Sequence, residues 1–192
     1  FRAGFLLQVD CPDLTMSGLR RRQHAGHSPE DFIKKAELHV EALNHAVRDI
    51  PPDRMRLRLW WENYVGHHHL DTPFVDIIGR AFKTRPSALS CGASNPRHGH
   101  EWKLFKDVKL PEGKILIPGV LDSTTNFIEH PELVQQRIVQ YAGLVGRENV
   151  IAGADCGFAH FASSTPRVDP RIAWAKLASM AEGARLASEE LW

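Results

Sequence analysis

The chain has 192 residues, 43% of them hydrophobic, enough for one sizeable core but short of the ~250 residues of a closed eight-stranded α/β barrel. Its 24 Lys and Arg stand against 23 Asp and Glu, so no net field draws it to nucleic acid or to an anionic membrane, and a small-molecule partner is expected. No apolar run approaches the ~20 residues of a membrane span, Phe1-Arg2-Ala3-Gly4 is neither a signal peptide nor a natural start, and three cysteines without a CxxC pair fit reduced thiols, so a soluble, cytoplasmic protein is expected.

In chain order, Gly4–Val9 reads as a buried strand of the parallel type, broken by Asp10-Cys11-Pro12-Asp13. A basic loop, Thr15–His27, precedes Ser28-Pro29-Glu30-Asp31, a helix start with proline at the first helical position. Phe32, Ala36, Val40, Leu43, Val47 and Ile50 recur on one face until Pro51-Pro52 ends the helix. Arg54–Trp61 predicts a strand in which Met55, Leu57 and Leu59 alternate with arginines. A barrel strand is buried on both faces, so Arg58 needs an anionic partner or water.

Thr72-Pro73 opens a helix with Phe74, Ile77, Ile78 and Phe82 inward, and Arg85-Pro86 closes it. Ala88–Cys91 is a short strand, Trp102–Lys109 a further strand or an excursion, and Lys114–Leu121 an apolar strand ending in Asp122. His130-Pro131-Glu132 begins a helix bearing Leu133, Val134, Ile138, Tyr141 and Ala142, stopped at Gly146. Val150–Phe158 predicts a buried strand delivering Asp155 and Cys156 to its C-terminal end. Asp169-Pro170 caps a last helix with Ala173, Leu177, Met180 and Ala184 on one face.

Strands alternating with helices predict an α/β protein with a parallel sheet. No GxGxxG or GxxxxGK[ST] follows a strand, which removes the main support for a nucleotide-binding doubly wound fold. Asp10, Asn63, Asn95, Arg97, Asp122, Asp155 and Cys156 all fall just past strand ends, where a (β/α)8 TIM-type barrel places its chemistry. About five of the eight units are present, so residues 1–192 are expected to be the C-terminal part of a single barrel domain, the N-terminal units being missing or supplied by another chain.

Val9-Asp10-Cys11-Pro12, Trp61-x-Asn63-Tyr64, Asn95-Pro96-Arg97-His98, Pro118-Gly119-Val120-Leu121-Asp122 and Ala154-Asp155-Cys156-Gly157-Phe158 together resemble the cobalamin-independent methionine synthase superfamily. The resemblance extends to its short members and to the epoxyalkane:coenzyme M transferases. It implies the catalytic barrel and zinc-dependent methyl or alkyl transfer to a thiol, the metal lowering the thiol pKa. The family's His-x-Cys ligands fall on Arg58-Leu59-Trp60, its glutamate on Gly92, and Cys156 alone is kept. Arginine and tryptophan offer no lone pair to a cation, so zinc is not expected, and an arginine anchor for an anionic substrate is the hypothesis in its place.

The candidate catalytic residues are Asp10, His98, Asp122 and Asp155, and the candidate substrate contacts Arg58, Trp60, Trp61, Asn63, Asn95 and Arg97. Each has a structural alternative: Asp10 as a loop cap, Asp122 and Asp155 in ion pairs that hold loops, Trp60 and Trp61 in the core, Cys156 as an idle thiol. Cys11 and Cys91 read as small core fillers. His67-His68-His69 reads as a solvated turn, because consecutive loop residues do not all face one ion. His98-x-His100-Glu101 is the better constellation, since alternate residues of an extended segment point the same way. Three functions stay open: the family's alkyl transfer; a metal-free lyase, isomerase or hydrolase using the strand-end acids and His98; and a non-catalytic small-molecule binder. Self-association into a homo-oligomer is a further expectation.

Overall fold

The computed structural model describes residues 1–15, 29–61, 71–159 and 167–192. Five strands, β1 (Leu7–Asp10), β2 (Met55–Leu59), β3 (Ala88–Cys91), β4 (Ile115–Leu121) and β5 (Gly153–Ala154), form a sheet in the order β1-β2-β3-β4-β5. β1 pairs β2 and β4 pairs β5 in parallel. A doubly wound sheet reverses its order at a switch point. Unbroken sequential order is instead what successive βα units of a barrel produce, so the fold is α/β of the partial (β/α)8 type. No helix among the described residues is long and apolar enough to cross a membrane.

The chain divides into two compact units. The first carries β1, α1 (Pro29–Ala46), β2, α2 (Val75–Ala81) and most of β3. The expected helix stripe is visible in α1, where Ala36 and Val40 are buried, and Val47 just beyond its end is buried too. Asn44 ties α1 to the segment after α2: its Nδ2 donates to the Lys83 carbonyl (2.9 Å) and its Oδ1 accepts from the Arg85 N–H (2.7 Å). In β2 the alternation is as read, with Met55, Leu57 and Leu59 buried and the arginines half-buried. β1 departs from expectation. It starts at Leu7, its pattern alternates half-buried and exposed, and Phe5 and Leu6 before it are exposed. An outermost strand, with a neighbour on one side only, has less to bury against.

The second unit carries β4, α3 (Pro131–Val145), β5 and α4 (Pro170–Leu191). β4 is buried from Leu116 to Leu121, each large apolar side chain there contributing roughly 1.5–3 kcal/mol. Val120, Leu121, Val134, Ile138 and Ala187 make its central cluster. α3 begins with the His130 ring accepting the Glu132 N–H, and buries Val134, Ile138, Tyr141 and Ala142 while Leu133 stays exposed. Trp102–Lys109 is not a strand: Glu101–Lys106 forms a 3-10 helix. The expected strand Val150–Phe158 shrinks to Gly153–Ala154, with one bridge from Val150 to Leu116, because the chain turns at once to bring Asp155 inward.

α4 buries a different stripe from the apolar one read in the sequence. Ala173, Leu177, Met180 and Ala184 are half-buried flanks, and the fully packed ridge is Lys176, Ser179, Gly183 and Ala187. A Cβ at Gly183 would lie 2.5 Å from Val134 Cβ and 2.7 Å from the Pro131 carbonyl oxygen. Small residues win the contact because α3 and α4 approach closely there.

Candidate functional site

In the first unit, β1 and β2 run in a register that sets Asp10 directly opposite Arg58. Arg58 Nη1 donates to Asp10 Oδ2 at 3.0 Å, so the half-buried guanidinium has the anionic partner that its position requires. The same guanidinium lies 5.6 Å from the centre of the Trp60 ring, and the Gln8 amide donates to the other Asp10 oxygen at 3.2 Å. The Trp60 backbone carbonyl accepts from the Thr15 hydroxyl, while its indole N–H is buried with no acceptor among the described residues. Trp61 lies in the core, its N–H donating to the Thr72 carbonyl at 2.7 Å and its ring edge-on to Phe74. Asn63, Tyr64 and the three histidines at 67–69 lie outside the described residues.

In the second unit the strand-end residues converge on Asp155. Its Oδ1 accepts from the backbone N–H of Ala93 (2.7 Å) and Ser94 (2.9 Å), and its Oδ2 from that of Asn95 (2.7 Å). Three successive N–H groups aimed at one carboxylate make an anion nest. Gly119 lets it close, since a Cβ there would sit 1.8 Å from Asp155 Oδ1. Two effects oppose each other at this carboxyl. Burial, aided by the charge of Asp122, raises its pKa, the three N–H donors lower it, and burial wins, leaving it at about 6. Burial likewise pushes the Cys91 thiol up, helped by Asp155 and Glu101, so Cys91 is an inert filler of β3.

Asn95 closes its own turn, with Oδ1 accepting the Arg97 N–H at 2.9 Å, and Arg97 is exposed. His98 is buried and its Nδ1 lies 3.0 Å from Glu101 Oε2. An ionised carboxylate only accepts, so Nδ1 carries the proton in this contact and the ring is oriented by Glu101. Expectation paired His98 with His100 along an extended segment. The loop is turned instead, the His98 N–H donating to the Asn95 carbonyl, so the partner is Glu101 and His100 is exposed. Asp122 is buried, both oxygens accepting from the Thr124 hydroxyl at 2.9 and 3.1 Å.

Two residues here escaped sequence reading. Glu129 Oε1 accepts the Asp122 N–H (2.8 Å), and its Oε2 accepts from Lys176 Nζ (2.8 Å), a lysine with no solvent exposure. The spacing 176, 179, 183, 187, a lysine in line with three small residues on one helix face, is the signal that marks it. Cys156 is half-buried and Gly92 faces Asp155, 3.8 Å from a Cβ built on it to Asp155 Cγ. Among the described residues no three His, Cys, Asp or Glu are grouped to hold a metal ion.

No family model matches this chain, and no curated protein matches it. Among solved structures it is similar to a B12-independent methionine synthase from Shewanella sp. W3-18-1, solved in complex with selenomethionine. The TM-score is 0.67 at 15% identity, over 99% of this chain and 50% of that one. At that identity the likeness is one of fold, and it agrees with the barrel topology. The chain spans about half the length of that protein.

Proposed function

We propose that this chain is part of a methionine synthase-like barrel enzyme acting on a small molecule, and that its chemistry runs on protein acids and bases rather than on a zinc-bound thiolate. The observation that carries the proposal is the donor set at the positions where the resemblance puts zinc ligands. Arg58 is cationic and paired with Asp10, Trp60 has a single N–H and no lone pair, and Gly92 has no side chain. Cys156 alone does not make a site, so these residues do not fit the metal and no step of the reaction is assigned to it.

The second unit supplies what a proton transfer needs. In this reading His98 takes a proton from substrate while Glu101, hydrogen-bonded to Nδ1, holds the ring and stabilises the imidazolium that forms. Asp122, kept as an acceptor by Thr124, is the second strand-end acid. Asp155 serves by holding Ala93–Asn95, the loop that carries His98 into place. The substrate class is anionic, and cytoplasmic residence belongs to the same reading.

The test is elemental analysis of protein purified without chelator, beside proton exchange into a panel of small carboxylates in D2O followed by NMR and thiol alkylation assays. Exchange that is lost in His98→Gln and kept in Cys156→Ala is the expected result. Stoichiometric zinc that disappears in Cys156→Ala, with thiol alkylation in the wild type, overturns it. A second reading, a binder without turnover, draws on one observation in the first unit: the buried Trp60 N–H, without an acceptor among the described residues and beside the Arg58 charge, suits an anion's oxygen. Saturable anion affinity without exchange in any substrate tested distinguishes it.

A further inference from the structure

Within the second unit a cleft of about 250 Å³ opens between α3 and the 3-10 segment Glu101–Lys106. It is lined chiefly by Trp102, Gln136, Arg137, Gln140 and Tyr141, and among the described residues no acidic side chain lines it. Of the candidate-site groups described above only Ala93, whose N–H holds Asp155, also lines it.

Arg137 is held rigidly. Its Nη1 donates to Ser94 Oγ (3.1 Å) and to the Val120 carbonyl (2.8 Å), which fixes the guanidinium plane. The remaining N–H groups, on Nε and Nη2, have no partner among the described residues. A guanidinium pinned along one edge loses little further freedom when a carboxylate takes the other by two parallel hydrogen bonds. Gln136 and Gln140 add neutral donors beside it. Tyr141 adds a hydroxyl that stays protonated at neutral pH, because burial, with Asp155 and Glu101, pushes its pKa up against the opposing charge of Arg137. Lys103 and Lys106 lie 6.0 and 5.2 Å from the centre of the Trp102 ring, so this wall is cationic as well as flat. Glu101, next to Trp102 in the chain, and Asp155, bonded to the Ala93 N–H, are already engaged, the first by His98 and the second by the backbone nest.

We propose that this cleft is a binding site for a small organic carboxylate with a planar apolar body, the carboxylate on Arg137 and the body along Trp102. The volume sits below the ~300–1,000 Å³ of pockets for drug-sized ligands, which limits the occupant to one ring or a short chain.

Calorimetric titration of the chain with benzoate, with its neutral isostere benzamide and with inorganic phosphate tests it. Benzoate is expected to bind at a single saturable site, with benzamide at least about ten-fold weaker, since it forfeits charge-assisted bonds to the guanidinium. Gln140→Glu places a like charge in the cleft from a half-exposed helix position and is expected to weaken benzoate about ten-fold with the thermal midpoint unchanged. Trp102→Leu is expected to weaken benzoate and benzamide alike. Equal affinity for benzoate and benzamide, tighter binding of phosphate than of benzoate, or benzoate affinity indifferent to both substitutions each overturns the proposal, as does the absence of saturable binding.

Discussion

Asp155→Asn separates the two forces acting on the nest. In the wild type, three backbone N–H groups favour a carboxylate, while removal from water and the neighbouring Asp122 favour the neutral acid. A pKa raised from 3.8 to about 6 means that the folded state binds a proton more tightly than the unfolded one. The stability this group contributes is therefore full below pH 3.8, falls as pH rises through the window up to about 6, and is gone above it. Across the whole window that rise corresponds to about 3 kcal/mol. Asparagine cannot titrate. It keeps an acceptor for Ala93 and Ser94 but turns an NH2 toward the Asn95 N–H, a pH-independent loss of ~1.5–3 kcal/mol for a hydrogen bond to a charged group. Urea unfolding of both proteins at pH 4, 5, 6 and 7 is the assay. The advantage of the wild type over Asp155→Asn is expected to shrink by roughly 2 kcal/mol from pH 4 to pH 7, part of the full change lying below pH 4. A difference that stays flat, or grows with pH, refutes the reasoning, since it means the three donors outweigh burial and the carboxyl is not raised.

Gly119→Ala places a methyl 1.8 Å from Asp155 Oδ1 and 2.9 Å from its backbone nitrogen, so it is expected to destabilise by at least ~1–3 kcal/mol in chemical unfolding; a neutral outcome contradicts the close approach. Gly183→Ala sets helix propensity against packing. Propensity predicts a gain of about 1 kcal/mol, whereas contact with Val134 at 2.5 Å predicts a loss of ~1–3, and denaturant midpoints are expected to show the loss. Lys176→Met leaves Glu129 buried without its cation and is expected to cost ~3–5 kcal/mol. Adding Glu129→Gln, which retains an acceptor for the Asp122 N–H, is expected to recover part of it, and a double-mutant cycle without coupling counts against the buried pair.

The sequence by itself determined the order of the main strands and helices. Periodicity marks α1 through Ala36 and Val40 and β2 through Met55, Leu57 and Leu59, because each pattern reflects one face turned from water. The demand that Arg58 find an anionic partner or water was also legible, since a permanently charged group on a buried strand cannot stay unsolvated. The identity of that partner was not: Asp10 lies 48 residues away in the chain and meets Arg58 only through the register of β1 on β2. The same holds for Asp155 against three N–H groups some sixty residues earlier, and for Lys176 with Glu129. Backbone donors are present at every residue and leave no mark in composition, so a nest becomes visible only when a turn aims them together. In α4 the apolar stripe misled for a related reason: how closely two helices pack is set by the smallest residues between them, and only the packed pair shows that Gly183, not Leu177, faces Val134.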